Sequence, residues 1–368
     1  MLSEIKYLFG TFPQALQFLS IEVEGYYPDH RSALVPLLQQ LPNSLRKLKI
    51  HLNGFDLAWS PCVPWLLKAL PHLVHLETCT LFASSNPASL MDVVSALRHC
   101  PRLRHLALRV SVFDEPEYAE CVELAQILPA GLERLQFDVN LSDSHAQDAL
   151  LMPLKFVLPP AQLDLAVTIP DWHMEMGRTL PLAPSLTRLS LSSQSRGTDV
   201  LFDVIARLPQ TLTTLILYVW RLHGTGVLAH LAQHMPPRLQ SLQLQRCNVT
   251  ASDLAELVNH WPQSLVHLDL NLGNLDTLPV PLPPRLRVLD LSYNQLDANK
   301  ALTWIAALPP TLRSLNLGLT SVVEDLAPDL VAHLLPRSPH ERIALGIRGK
   351  EISADVFLKL KAAFFLFL

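Results

Sequence analysis

His75, Glu77, Cys79 and His105 are residue types that ligate zinc, and they fall in two neighbouring stretches of similar rhythm. The chain has 15 histidines, enough for a few to meet by chance, and no tight ligand spacing accompanies these four, so no metal is expected. Nucleophilic chemistry is no better served. Ser190, Ser192 and Ser193 lie outside any GxSxG context, and a chain with 12 glycines contains no Walker or dinucleotide-binding pattern. The expectation is a protein that is not an enzyme, with no catalytic residue and no cofactor. A hydrolase or ligase acting through a residue such as Cys79 or His105 is the alternative.

Any binding residue must be positioned by the leucines around it. Residues 285–296 place Leu286, Leu289, Leu291, Asn294 and Leu296 at the spacing LxxLxLxxNxL, which is that of a leucine-rich repeat. The first Leu of each LxxLxL recurs at Leu16, Leu45, Leu73, Leu103 and Leu132, and again at Leu186, Leu212, Leu239, Leu265, Leu286 and Leu312. Weaker units begin near Gln162 and Arg342. The last two leucines of each triplet, at i and i+2, lie on one face of a short strand, and the residues between them point the other way. One unit cannot bury its leucines alone, whereas a stack can, with its strands aligned as a parallel sheet. Asn53, Asn140 and Asn294 hold the ninth position, where an inward amide can satisfy the turn leaving the strand. Cys247, Trp220, Gln194 and Thr320 fall in the same slot.

The second half of the longer units has a helical period. Val200, Leu201, Val204, Ile205 and Leu208 form one stripe behind a cap at Thr198 or Asp199, and Thr250-Ala-Ser-Asp253 reads as a capping box. Further helices are expected at about 90–99, 117–127, 226–234 and 298–307. Prolines such as Pro42, Pro71, Pro101, Pro209 and Pro309 stop each helix and preset an extended entry to the next strand. The unit from Leu265 is too short and too proline-rich for a helix and should cross as extended chain.

At these residues the chain resembles the ribonuclease-inhibitor-like class of leucine-rich-repeat proteins, although the cysteine-rich pattern of a true ribonuclease inhibitor is missing. The resemblance implies an α/β leucine-rich-repeat solenoid, a horseshoe of about 13 repeats with a parallel concave sheet and a mostly helical convex side. The expected organisation is an N-terminal cap at 1–15, the solenoid at 16–347 and a C-terminal capping helix at 348–368. A scaffold for protein–protein interaction is the implied function, with a substrate-recognition subunit of a ubiquitin ligase complex as the alternative within binding.

The variable strand positions facing the concavity are the candidate binding residues. Lys47, Lys49, His51, His75, His105, Arg109 and Arg134 come from the early units, so Lys47, His75, His105 and Arg134 are expected to form a cationic column. Tyr218, Asp269, Asp290 and Tyr293 come from the later ones, together with Gln243, Gln245, Asn271 and Asn316. A face running from basic to acidic suggests a protein partner with an acidic surface at its basic half. A net charge of −4 and the lack of interleaved aromatics in the basic column argue against nucleic acid. No apolar run reaches the roughly 18–20 residues of a membrane span. Five cysteines without a CxxC pair suit reduced thiols in a cytoplasmic or nuclear setting.

Overall fold

The computed structural model describes residues 13–24, 38–53, 63–83, 87–112, 131–141, 162–169, 182–193 and, apart from Arg221 and Pro279, 198–318. Shorter pieces at 123–124, 126–129, 332, 344–346, 360–361 and 365–367 complete the described set. The N-terminal cap expected at 1–15 falls almost wholly outside it, as do Gln194 and Thr320 and much of the helix expected at 117–127.

Two compact units divide the chain, Met1–Leu186 and Thr187–Leu368. In the first, strands β1 (Phe18–Glu24), β2 (Lys47–Asn53), β3 (Thr78–Ala83), β4 (His105–Val112), β5 (Arg134–Leu141) and β6 (Gln162–Ile169) pair in chain order, each parallel to the next. In the second, β7 (Leu186–Ser193), β8 (Thr214–Val219) and β9 (Ser241–Leu244) are followed by β10 (His267–Asp269), β11 (Val288–Asp290) and β12 (Ser314–Asn316). Then come β13 (Ala344–Gly346) and β14 (Phe365–Phe367), again in parallel register. The C-terminal segment expected as a capping helix therefore ends in a strand, with Leu366 opposite Leu345.

Leucines at the first, fourth and sixth repeat positions form the core of both units; Leu45, Leu48 and Ile50 in one, and Leu286, Leu289 and Leu291 in the other, are buried. The third unit needs a correction. Leu48 and Ile50 stand opposite Cys79 and Leu81, so the first-position residue is Leu76 rather than Leu73. The turn into the strand explains the slip. In most units the first Leu donates its N–H to the carbonyl three residues back, as Leu45 does to Pro42, Leu212 to Pro209 and Leu312 to Pro309. Leu76 donates to Leu73, so a leucine occupies the proline slot and imitates a marker.

Helices α1 (Val63–Ala69), α2 (Pro87–Leu97), α3 (Asp199–Ala206), α4 (Val227–His234), α5 (Ala251–Ala255) and α6 (Ala298–Ala306) bury their apolar stripes against the strands. Of these, α1 was not among the helices expected by range, although it ends just before Pro71, one of the prolines expected to stop a helix. The capping box on α5 is present, with Thr250 Oγ1 accepting from Asp253 N and Asp253 Oδ2 accepting from Thr250 N. The side chain of Thr198 makes no cap bond to α3. Between Asp269 and Val288 the described residues form no helix; Leu275, Leu278 and Leu282 cover the core as extended chain.

In β10, β11 and β12 the end of the strand is legible in the residue at the fifth repeat position. Asp269 Oδ1 accepts from Asn271 N at 3.0 Å, Asp290 Oδ1 from Ser292 N at 2.9 Å and Asn316 Oδ1 from Gly318 N at 3.1 Å. Each side chain takes an N–H two residues on, in competition with the ladder, and β10, β11 and β12 stop at these residues. Lys49, Thr80 and Ala107, at the equivalent register, offer no such acceptor geometry, and β2, β3 and β4 run for six to eight residues. Asp164 in β6 has the right chemistry, but it receives the Arg134 guanidinium, and β6 continues to Ile169.

Behind the short strands the ninth position works as expected. Asn294 is buried and donates from Nδ2 to Leu270 O at 2.9 Å, Leu291 O at 2.9 Å and Ser292 O at 3.3 Å, while its Oδ1 accepts from Leu275 N at 3.1 Å. Cys247 imitates it, donating Sγ–H to Leu217 O at 3.2 Å and Gln245 O at 3.4 Å. Gly273 has the slot between them, and a Cβ there would lie 2.7 Å from Asn294 Oδ1. Trp220 is a correction. Because β8 keeps alternating through Tyr218 and Val219, Val219 turns inward and Trp220 is half exposed. Asn53 and Asn140 lie in the long strands β2 and β5, and their side chains are outside the described set.

Asn294→Ala should destabilise the fold by about 1–3 kcal/mol, since it strips buried backbone groups of their partners. Gly273→Ala should also destabilise, and the double variant should lose clearly less than the sum, because the colliding amide oxygen is gone. Urea denaturation of the four proteins measures this; strict additivity would contradict the contact.

Candidate functional site

In the first unit, outward side chains alternate with the buried leucines: Lys47, Lys49 and His51 on β2, Thr78, Thr80 and Phe82 on β3. Register makes the first column Phe18, Lys47, Thr78, His105, Arg134 and Gln162. The continuous cationic column is thus not formed. Thr78 separates Lys47 from His105, and His75 is exposed ahead of β3 as a consequence of the corrected register. Three side chains of the basic set lie against carboxylates. Arg134 bonds the buried Asp164, Arg109 lies 3.6 Å from Asp138 with its guanidinium 4.8 Å from the Phe82 ring, and His105 is 3.9 Å from Glu133. His51 packs edge-on against Phe82 at 5.7 Å. Cys79 points into the core rather than onto this face, which separates it from His105.

The thiols are poor nucleophiles. Burial pushes Cys79 well above the usual range, Cys100 up to about 11 and Cys247 up to about 12, so all three are protonated at neutral pH. Among the described residues no group of three His, Cys, Asp or Glu side chains is arranged to hold a metal ion.

The second unit builds a depression of about 960 Å³ where strands β8 to β11 end. Tyr218 and Trp220 line one side, Leu272 and Tyr293 another, and Asp269 and Asp290 stand opposite each other in register between them. Arg246 and Asn248 complete the rim, with the Arg246 guanidinium 5.4 Å from the Tyr218 ring. Trp220 and Tyr293 are about half exposed, at 50% and 48%, which is high for side chains of this size.

The backbone under this rim is unusual. Arg246, Asn248, Leu272 and Tyr293 all have left-handed φ, between 51° and 60°. Arg246, Leu272 and Tyr293 share one repeat position, and for residues with a Cβ this conformation costs about 1–2 kcal/mol each. It is held by the neighbouring repeat. Arg246 N donates to Asn271 O at 3.0 Å, Leu272 N to Ser292 O at 3.1 Å and Tyr293 N to Gly318 O at 2.9 Å. The turn forced by the short strands therefore swings three large side chains to the edge of the exposed face.

The polar floor is bonded internally. Gln245 Nε2 donates to Asp269 Oδ2 at 2.7 Å, Asn271 Nδ2 to Ser292 Oγ at 2.6 Å and Asn316 Nδ2 to Asp290 Oδ2 at 2.8 Å. Burial raises the Asp269 pKa above the usual carboxylate range, the Asn271 N–H and Gln245 pull it back, and Asp290 raises it further.

Of the residues expected to bind, the structure gathers Tyr218, Asp269, Asp290 and Tyr293 in this depression and leaves the Lys47, Lys49 and Arg109 set in the other unit. Sequence reasoning missed Trp220, Arg246, Asn248 and Leu272. Their signal was the residue between the paired leucines: Ile216 lets alternation carry Trp220 outward, whereas Asp269 and Asp290 force the turns that expose Leu272 and Tyr293.

No family model matches the sequence, and no curated protein matches it significantly. The chain is similar to several solved structures. A chain of the yeast Rad7 and Elc1 complex aligns with TM-score 0.55 at 13% identity, covering 99% of this chain and 83% of that one. An internalin, InlF, of Listeria monocytogenes str. 4b F2365 gives 0.42 at 16% identity over 100% and 93% of the two chains. The leucine-rich-repeat-containing protein LegL7 of Legionella pneumophila gives 0.38 at 18% over 79% and 81%. Each unit is a leucine-rich-repeat solenoid. Parallel strands in chain order and leucines inward at the first, fourth and sixth positions define it.

Asp269→Asn should leave the fold as stable or more stable at neutral pH, as the natural Asn316 at the same position shows the amide to be compatible. A carboxylate whose folded pKa is raised binds its proton more readily folded than unfolded, so its charge opposes folding above that pKa and the opposition fades as pH falls through it. The variant's advantage should therefore shrink on acidification. Thermal melts across pH 3–8 test this; a loss above about 1 kcal/mol at neutral pH would contradict it.

Proposed function

We propose that this protein is a protein-interaction scaffold of the ribonuclease-inhibitor-like kind whose principal contact is the aromatic depression of the second unit. The observation that carries the proposal is the exposure of Trp220 and Tyr293 beside Arg246 and Leu272 on a hydrogen-bonded, left-handed backbone. Trp, Tyr and Arg are the side chains that dominate binding energy in interfaces. A backbone already fixed by the next repeat loses little conformational freedom on docking. Binding rather than catalysis fits the burial of the described thiols. That one similar structure is of a Rad7 and Elc1 complex is in keeping with a protein partner for a chain of this fold.

The first unit is the weaker choice for the main contact. Arg109 and Arg134 already face Asp138 and Asp164, so an acidic partner would have to displace those carboxylates. Among the described residues no helix is long and apolar enough to cross a membrane.

Affinity capture from the protein's own cell lysate, with quantitative mass spectrometry, separates the two surfaces. Trp220→Ala and Tyr293→Ala should each reduce specific partners by about 10-fold or more, as expected of central aromatic anchors. Lys47→Glu with Lys49→Glu should leave the same partners bound. The opposite pattern would move the site to the first unit.

A further inference from the structure

The depression also carries a charge problem that points to what fills it, an inference that rests on the reading of this site as an interaction surface. Asp269 and Asp290 are directly opposite on adjacent parallel strands, where like charges are unfavourable. Asp269 is 8% exposed. The hydrogen bonds they accept all come from neutral groups: the Asn271 N–H and Gln245 amide for Asp269, the Ser292 N–H and hydroxyl and the Asn316 amide for Asp290. Among the described residues neither carboxylate has an ion-pair partner. The nearby cationic groups are His267, which is close enough to lower the Asp269 pKa, and Arg246, whose guanidinium lies by Tyr218 instead.

Aromatic side chains line the same depression. Among the described residues nothing stacks on Trp220 or Tyr293, whereas the Tyr218 ring already has Arg246 beside it. An anionic floor beside exposed aromatic rings fits a cation that is flat, weakly hydrated and rich in N–H donors. Arginine meets each condition: its guanidinium stacks on aromatic faces and presents a fork of N–H groups to carboxylates. Lysine, a compact and strongly hydrated point charge, fits the rings less well.

We propose that the depression receives an arginine side chain from the protein partner, with the guanidinium against Tyr293 and its N–H groups toward Asp269 and Asp290, while Trp220, three strands away, meets the partner segment beside the arginine. The Arg246–Tyr218 pair forms the far wall and sets the polarity, since an incoming cation is driven from Arg246 toward the two aspartates.

The probe is a capped peptide of the form Gly-Ser-Arg-Ser-Gly, compared with the same peptide carrying citrulline, which keeps the shape and removes the charge. Binding to the full chain is followed by NMR at the indole N–H signal that Trp220→Phe deletes. The arginine peptide should shift that signal saturably, and the citrulline peptide should bind about tenfold more weakly. Asp290→Asn should weaken the arginine peptide by about fivefold, as removal of one carboxylate beside a cation does, and leave citrulline unchanged. Asp269→Asn is the second variant should Asp290→Asn melt early. Equal binding of the two peptides, no effect of either substitution in a folded protein, or no saturable shift with arginine would overturn the assignment. If the peptides bind alike while Trp220→Ala still abolishes partner capture, the guanidinium fails and the interaction site stands. If capture ignores Trp220 and Tyr293, the parent reading fails as well.

Discussion

The amide of Asn294 reaches three carbonyls across two repeats, and it can do so only because strand β11 has already stopped at Asp290. That stop is local chemistry. A carboxylate or amide between the paired leucines captures the N–H two residues ahead, the ladder ends, and the chain must turn within a few residues. Much of what distinguishes the second unit follows from this constraint. Short strands, a buried polar slot filled by Asn294 or imitated by Cys247, and a required glycine at 273 are one arrangement repeated.

The same turn has a cost and a product. Bringing the chain round places Arg246, Leu272 and Tyr293 in left-handed conformations that only the carbonyls of Asn271, Ser292 and Gly318 keep in place. Strain held by surrounding structure is characteristic of functional surfaces. Here it lifts two apolar side chains and a cation to the rim of a depression whose floor is acidic. The first unit lacks the device. Its strands run on for six to eight residues, and two of its outward arginines face carboxylates on neighbouring strands, Arg134 at Asp164 and Arg109 at Asp138.

The fold was readable because its signal is repeated: a leucine triplet recurs, and inward burial follows from period two. The third unit was misplaced by three residues because Leu73 supplies the turn carbonyl that proline supplies elsewhere, and nothing in local spacing separates the two roles. That slip alone put His75 in a column that Thr78 occupies. More than half of the depression was legible as outward positions, at Tyr218, Gln245, Asp269, Asn271, Asp290 and Tyr293. Trp220 and Leu272 were not, because whether a residue after the strand faces in or out depends on where alternation ends, which the leucine pattern does not encode. The Asp or Asn between leucines encodes it for β10 to β12, whereas β9 ends at Leu244 with Gln243 in that place.

The central claim is that the rim is built in advance rather than formed on contact. Native-state hydrogen exchange at the amides of Arg246, Leu272 and Tyr293 measures it most directly, since each amide is bonded to a carbonyl of the next repeat. Their protection should be close to that of the amides of Leu270 and Leu291, which bond Asp290 O and Asn316 O just past the strands, with exchange through large-scale opening of the unit. Exchange of these three amides at the rate of an open loop, while Leu270 and Leu291 remain protected, would contradict it.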